Sequence, residues 1–185
     1  MIQSLPNLIT VGRIVLVPVV IWAITSGNML FAFWVFVAAG ISDAVDGFIA
    51  KRFNAQTEFG AYLDPIADKA LLMSIYVTLS IEMLLPRWIV IAVVSRDIMI
   101  MGAVVLSWVL NKPVEIHPLV VSKLNTAAQI GLAALVLASS GFKFDAGQAK
   151  DVLLILAGGL TFISAAAYLI EWMKHITADA PEASK

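Results

Sequence analysis

Long apolar runs separated by short polar joints make up nearly the whole chain. The runs fall at residues 8–25, 29–50, 60–84, 87–110, 119–141 and 151–173. Each approaches or exceeds the roughly 20 residues that a helix needs to cross a hydrocarbon layer. The joints are Thr25-Ser26-Gly27-Asn28, the stretch 51–59, Leu85-Pro86-Arg87, Asn111-Lys112-Pro113 and the stretch 141–150. They carry the Gly, Pro and Asn residues that punctuate helices. The pattern predicts an all-α integral membrane protein with six transmembrane helices. One membrane domain would occupy residues 1–173, and residues 174–185 form a polar tail without hydrophobic pattern, expected to be disordered. There is no internal repeat. No small-residue cleavage pattern follows the first run and a second begins almost at once, so the first reads as a retained helix rather than a signal peptide.

The basic residues orient the bundle. With the N-terminus inside, Arg13, Lys51, Arg52, Lys112, Lys123, Lys174 and Lys185 are cytoplasmic, and Arg87, Lys143 and Lys150 lie outside. The bias predicts both termini in the cytoplasm of a multi-pass protein. The setting expected for it is the bacterial inner (plasma) membrane.

Composition narrows the function. The chain of 185 residues is 61% hydrophobic and only 14% charged, against roughly a quarter charged in soluble domains. A net charge of −1 supplies no field for nucleic acid, which is not expected as a partner. The absence of cysteine excludes a disulfide framework, thiolate chemistry and iron–sulfur clusters. The two histidines, His117 and His175, sit far apart in polar joints and build neither a zinc site nor a catalytic triad.

Against this apolar background Asp43, Asp46, Asp64 and Asp68 stand out. A carboxylate at the centre of a membrane helix costs about 2.5–3.5 kcal/mol on insertion scales. Four would cost about 10–14 kcal/mol, comparable with the stability of a whole domain. Hard divalent cations offset such a cost, because they take oxygen ligands and neutralise several carboxylates at once. Asp43, Asp46, Gly47 and Ala50 share one helical stripe, and Gly60, Asp64 and Asp68 share another. Two antiparallel helices joined through 51–59 would turn the two stripes toward one another. The alternative is structural pairing with basic residues. Only Lys51, Arg52 and Lys69 lie close in sequence, at the turn or past the last aspartate. Small residues crowd both helices, which suits close packing and, for Gly47 and Gly60, leaves room for a ligand.

Read as a pattern, the region is Asp43-x2-Asp46-Gly47-x2-Ala50-Lys51-x8-Gly60-x3-Asp64-x3-Asp68. It resembles the motif of the CDP-alcohol phosphatidyltransferase family, which has Arg where this chain has Lys51 followed by Arg52. The segment Leu5-Pro6-Asn7-Leu8-Ile9-Thr10 with Arg13 is similar to the start of that family's first helix. The resemblance implies transfer of a phosphatidyl group from CDP-diacylglycerol to an alcohol with release of CMP, a homodimeric state, and two divalent cations, Mg²⁺ or Mn²⁺. Carried over by motif, Asp43, Asp46 and Asp64 would hold one ion, and Asp43, Asp64 and Asp68 the second. Asp68 would also be the general base for the acceptor hydroxyl. Gly47, Ala50, Lys51 and Gly60, with Asn7 and Thr10, would bind the cytidine nucleotide.

The second half bears on the acceptor. Ser95-Arg96-Asp97-Ile98-Met99 and the segment from Val121 through Lys123-Leu124-Asn125-Thr126 to Gln129 resemble the CMP-forming cardiolipin synthases. The related phosphatidylglycerophosphate synthases tend to carry Lys at the position of Asn125. A second cation suits the dianionic phosphate of glycerol 3-phosphate, whereas the phosphodiester of phosphatidylglycerol does not need it. The resemblance therefore implies phosphatidylglycerol as acceptor, with Arg96, Lys123 and Asn125 as acceptor- or phosphate-binding residues. Glycerol 3-phosphate is the alternative. For Lys123, helix-end anchoring is the competing role; for Arg96, well inside the fourth run, it is pairing with Asp97 or with an anionic headgroup. The phosphohistidine mechanism of other cardiolipin synthases needs His-x-Lys, and neither histidine has it. A cation or proton-coupled transporter is the reading from another class, since intramembrane acids also mark ion pathways. Transporters commonly show repeats or broken helices, whereas these acids cluster near one surface beside a basic turn.

Overall fold

The computed structural model describes the backbone of residues 5–53, 58–109 and 120–178, and within these the side chains of 12–45, 69–103, 106 and 120–174. Among the described residues there are six helices: α1 (Leu5–Thr25), α2 (Met29–Phe53), α3 (Glu58–Ile81), α4 (Arg87–Val109), α5 (Val120–Phe142) and α6 (Gly147–Ala178). Every apolar run has become one helix. The boundaries differ where polar residues extend a helix that hydrophobicity alone would end. Lys51-Arg52-Phe53 belongs to α2 and Glu58-Phe59 to α3, so the joint shrinks to residues 54–57, outside the described residues. Helix α6 begins at Gly147 and continues through Ala178, so the tail predicted from 174 starts as helix; residues 179–185 lie outside the described residues.

Short turns close three antiparallel hairpins. Between α1 and α2, Gly27 adopts φ +76°, a conformation open to glycine at little steric cost. At the ends of α3 and α5 the left-handed position is filled instead by Met83 (φ 58°) and Lys143 (φ 57°). The Leu84 N–H donates to the Leu79 carbonyl at 2.8 Å and the Met83 N–H to Ser80 at 3.1 Å, a Schellman closure built without glycine.

Helix α1 packs on α2 and α3, α5 on α2 and α6, and α4 on α6, with narrower contacts of α3 with α4 and α5. The core runs through Val20 and Ile24 of α1, Phe36 of α2, Ile75 and Leu79 of α3, and Leu132 and Val136 of α5. Gly141 lets the end of α5 meet the start of α2, since a Cβ there would fall 2.8 Å from the Leu30 Cα. Hydroxyls inside the apolar helices bond one turn back, as Ser74 does to the Ala70 carbonyl and Thr78 to Ser74.

Among the described residues much of the outer surface is apolar. Trp22, Trp34, Ile41, Ile91, Ile98, Ile155, Phe162 and Ile163 are exposed, with many other large hydrophobic residues. Among the described residues two helical stretches, 120–142 and 147–174, are long and apolar enough by themselves to cross a membrane.

Candidate functional site

The hairpins bring the sequence-predicted site residues to one end of the bundle. That end consists of the first halves of α1, α3 and α5 and the last halves of α2, α4 and α6. Asp43, Asp46, Gly47, Ala50 and Lys51 lie on α2, Gly60, Asp64 and Asp68 on α3, Asn7 and Thr10 on α1. Apart from Asp43, the side chains of these residues lie outside those described. Among the described residues α2 and α3 do not pack on each other; α1 lies against both. The facing of the two stripes expected from a simple hairpin turns on residues 46–68, whose side chains lie outside those described.

Helix α1 also contributes a cation. Arg13 is 2% exposed, and its Nη1 donates to Asp43 Oδ1 at 2.5 Å. The Asp43 side chain is 46% exposed, and among the described residues its Oδ2 accepts no hydrogen bond. Pairing with a basic residue, the alternative disfavoured because only Lys51, Arg52 and Lys69 lie close in sequence, thus occurs at Asp43: its partner is thirty residues away, brought in by helix packing.

A second polar cluster joins α3, α4, α5 and α6. Arg96 is buried at 6% exposure. Its Nη1 donates to Asp97 Oδ1 at 2.5 Å, its Nη2 to the Ser122 and Ser164 hydroxyls at 2.5 and 2.8 Å, and its Nε to Ser164 at 3.3 Å. The guanidinium also lies 5.6 Å from the Tyr168 ring centre, within reach of cation–π attraction. Lys69, immediately after Asp68 on α3, reaches Asp97 at 3.5 Å. The pairing of Arg96 with Asp97 anticipated from sequence is thus present, with Lys69 as an additional cation.

From Ser122 a polar line continues along α5. Asn125 is fully buried, and its Oδ1 accepts from the Thr161 hydroxyl at 2.9 Å. Gln129 donates through Nε2 to Thr161 at 3.3 Å, while its carbonyl accepts from the Tyr76 hydroxyl at 3.0 Å. Among the described residues the Asn125 Nδ2 is buried without a partner, a situation that costs about 1–3 kcal/mol in a protein interior. Lys123 is exposed. Position 125 therefore faces the interior one turn beyond a residue that holds Arg96.

The residues missed from sequence are Lys69 as a partner of Asp97, and Thr161, Ser164 and Tyr168. The last three carried a signal: their i, i+3, i+7 spacing forms a polar stripe in an otherwise apolar run.

Among the described residues no three acids or histidines converge on a point that would hold an ion, and of the four motif aspartates only the Asp43 side chain is among them. The donor set nevertheless fits hard divalent cations: four carboxylates, no soft ligand, and an Asp43 oxygen left open.

Residues 3–177 match the CDP-alcohol phosphatidyltransferase family over almost the entire chain. The chain belongs to that family. Among curated relatives it is 31% identical over 185 residues to a probable CMP-forming cardiolipin synthase of Drosophila melanogaster, covering 91% of this chain and 58% of the relative. It is 33% identical over 187 residues to the chloroplastic CDP-diacylglycerol–glycerol-3-phosphate 3-phosphatidyltransferase 1 of Oryza sativa, covering 91% of this chain and 57% of the relative. A probable phosphatidylglycerophosphate synthase of Mycobacterium tuberculosis is 32% identical over 175 residues, with 89% of this chain and 82% of that protein covered. The chain thus spans somewhat more than half the length of the first two.

Proposed function

We propose that the protein transfers the phosphatidyl group of CDP-diacylglycerol to phosphatidylglycerol, releasing CMP and forming cardiolipin. The observation that carries the reaction class is the family match, which spans both the aspartate-bearing helices and the Arg96 cluster. In this reading Asp43, Asp46, Asp64 and Asp68 hold two divalent cations, Mg²⁺ or Mn²⁺. Such ions neutralise the diphosphate and polarise the attacked phosphorus. Arg13 fixes Asp43 with one oxygen free for that role. Gly47, Ala50, Lys51, Gly60, Asn7 and Thr10 receive the cytidine nucleotide, with Lys51 giving a point charge rather than the planar fork of Arg. Asp68 accepts the proton of the acceptor hydroxyl as its oxygen attacks phosphorus.

The choice of acceptor rests on position 125. A lysine there would add a cation beside Arg96 and Lys69; Asn125 is neutral and tied to Thr161. A site with less positive charge suits a phosphodiester. The second reading, glycerol 3-phosphate as acceptor, is favoured by the rice and mycobacterial relatives, whose names assign them to phosphatidylglycerophosphate synthesis.

The exposed tryptophans and aliphatic residues support six membrane-spanning helices, since soluble monomers rarely expose large contiguous apolar patches. The basic residues support cytoplasmic termini and a site facing the cytoplasm, in a bacterial inner membrane and as a homodimer. The test is incubation of the purified protein with CDP-diacylglycerol and each alcohol in turn, with products identified by mass. Cardiolipin and CMP from phosphatidylglycerol are expected. Phosphatidylglycerophosphate from glycerol 3-phosphate, with no cardiolipin, would transfer the assignment to the second reading.

A further inference from the structure

An apolar groove of about 380 Å³ runs between α4 and α6, within the range of about 300–1,000 Å³ common for small-molecule sites. Its α4 wall is a single helical stripe, Trp88, Ile91, Ala92, Ser95 and Met99, and Phe162 and Ala165 face it from α6. Alanines on both helices give it depth. At one end Trp88 lies over Gly158, where a Cβ would come within 2.7 Å of the indole. Eight residues further along α4, about 12 Å at helical rise, the lining includes the buried Arg96.

The charge balance at that end indicates the occupant. Lys69 and Arg96 face the single carboxylate of Asp97, so the described cluster carries one positive charge in excess. Among the described residues Arg96 makes four hydrogen bonds, and a guanidinium has five N–H donors, leaving one on Nη1. Arg96 is buried and lines the groove, whereas Lys69 behind it is 31% exposed. A surplus cation partly withdrawn from water favours an anion beside it. A phosphodiester carries one negative charge, whereas a phosphomonoester dianion would overshoot. An apolar trough joined to a monovalent cationic end has the polarity of an anionic glycerophospholipid.

We infer that the α4–α6 groove binds one acyl chain of the acceptor phospholipid, its tail toward Trp88 and its phosphodiester at Arg96. The inference rests on the lipid-acceptor reading above and makes chain length a determinant of acceptor choice.

The first measurement is the KM for long-chain and for water-soluble short-chain phosphatidylglycerol in Ala92→Phe and Ala165→Phe, whose rings would fill the groove. The ratio of long-chain to short-chain KM is expected to rise about tenfold, in line with the cost of overpacking. An unchanged ratio would overturn the inference. The second measurement uses the unaltered protein in vesicles of phosphatidylcholine containing a phosphatidylglycerol with a photoreactive acyl chain. Labelling of Ile91, Met99 or Phe162, competed by unlabelled phosphatidylglycerol but not by added phosphatidylcholine, is expected. Labelling confined to other faces, or cross-linking of these residues only to a second copy of the chain, would contradict it. If the wild type forms phosphatidylglycerophosphate and no cardiolipin, the acceptor reading fails, and the photolabel then decides whether the groove holds an anionic lipid at all.

Discussion

The two ends of this bundle are built from different material. At the end closed by the turns at 26–28, 82–86 and 143–146, the interior is Ile24, Ala32, Leu79, Leu85, Ile89 and Val136, and its buried hydroxyls are those of Thr78 and Ser80. From the middle of the bundle toward the other end, Arg13, Arg96, Asp97, Asn125, Gln129, Thr161 and Ser164 are all buried. The same six helices thus pass from hydrocarbon packing to a polar interior within their own length. The apolar end needs no ligand to be stable. The polar end concentrates charge where charge is expensive, which is tolerated when the charge has work to do. The difference makes the apolar end the natural scaffold and the polar end the place where the proposed site is to be tested.

The largest expected effects lie at the polar end. Asp43→Asn and Asp64→Asn should lose both nucleotide binding and transfer, measured by CDP-diacylglycerol binding and CMP release. Asp68→Asn should keep binding and lose transfer by about 10²–10⁴-fold, the usual contribution of a general base. Turnover near wild type in Asp68→Asn would remove that role.

Next comes Arg96→Ala. It strips Asp97 of its closest partner, and breaking a buried pair in this way costs about 3–5 kcal/mol. Lys69 remains near, so the low end applies. Thermal unfolding in detergent should show the drop together with a raised KM for the acceptor. A raised KM for CDP-diacylglycerol alone would place Arg96 elsewhere in the reaction.

Lys51→Ala should raise the KM for CDP-diacylglycerol while Lys51→Arg stays active. A larger loss in Arg52→Ala would hand the role to the neighbour.

At the scaffold end the changes should act first on stability. Gly141→Ala forces a Cβ to 2.8 Å from the Leu30 Cα, and backbone cannot step aside as a side chain can. A loss of about 1–3 kcal/mol is expected. Gly158→Ala presses on the half-exposed Trp88 indole at 2.7 Å and touches Ile89 at an ordinary 3.5 Å. The indole can swing outward, so the loss of stability should be smaller, with any change in acceptor KM reporting on the groove that Trp88 lines. The smallest effect runs in the opposite direction. Met83→Gly relieves a left-handed φ of 58°, an arrangement that costs a non-glycine residue about 1–2 kcal/mol, and should raise the melting temperature slightly. A fall would show that the Met83 side chain contributes packing that outweighs its strain.

The two ends also differ in how far the sequence revealed them. Six apolar runs became six helices because, in this chain, each run is bounded by residues that break helices. The ends of α2 and α6 were harder to read. Lys51, Arg52 and Lys174 are polar yet good helix formers, so hydrophobicity stops before the helix does. In the site, the aspartates were visible as charges against an apolar background. Arg13 as the partner of Asp43 was not, because the contact joins two helices and no local spacing encodes it. The same holds for Lys69 with Asp97 and for Ser164 with Arg96. The polar stripe Thr161, Ser164 and Tyr168 was legible in principle, but serine and threonine are ordinary residues in apolar helices and draw little notice beside carboxylates.

The most direct test of the division into scaffold and site is CMP release from CDP-diacylglycerol, followed with and without a chelator in the wild type, Asp64→Asn and Gly141→Ala. The account predicts release that requires added Mg²⁺ or Mn²⁺ in the wild type. It predicts none in Asp64→Asn, and cation-dependent release in Gly141→Ala at temperatures where that protein stays folded. Release that survives both the chelator and Asp64→Asn would contradict it.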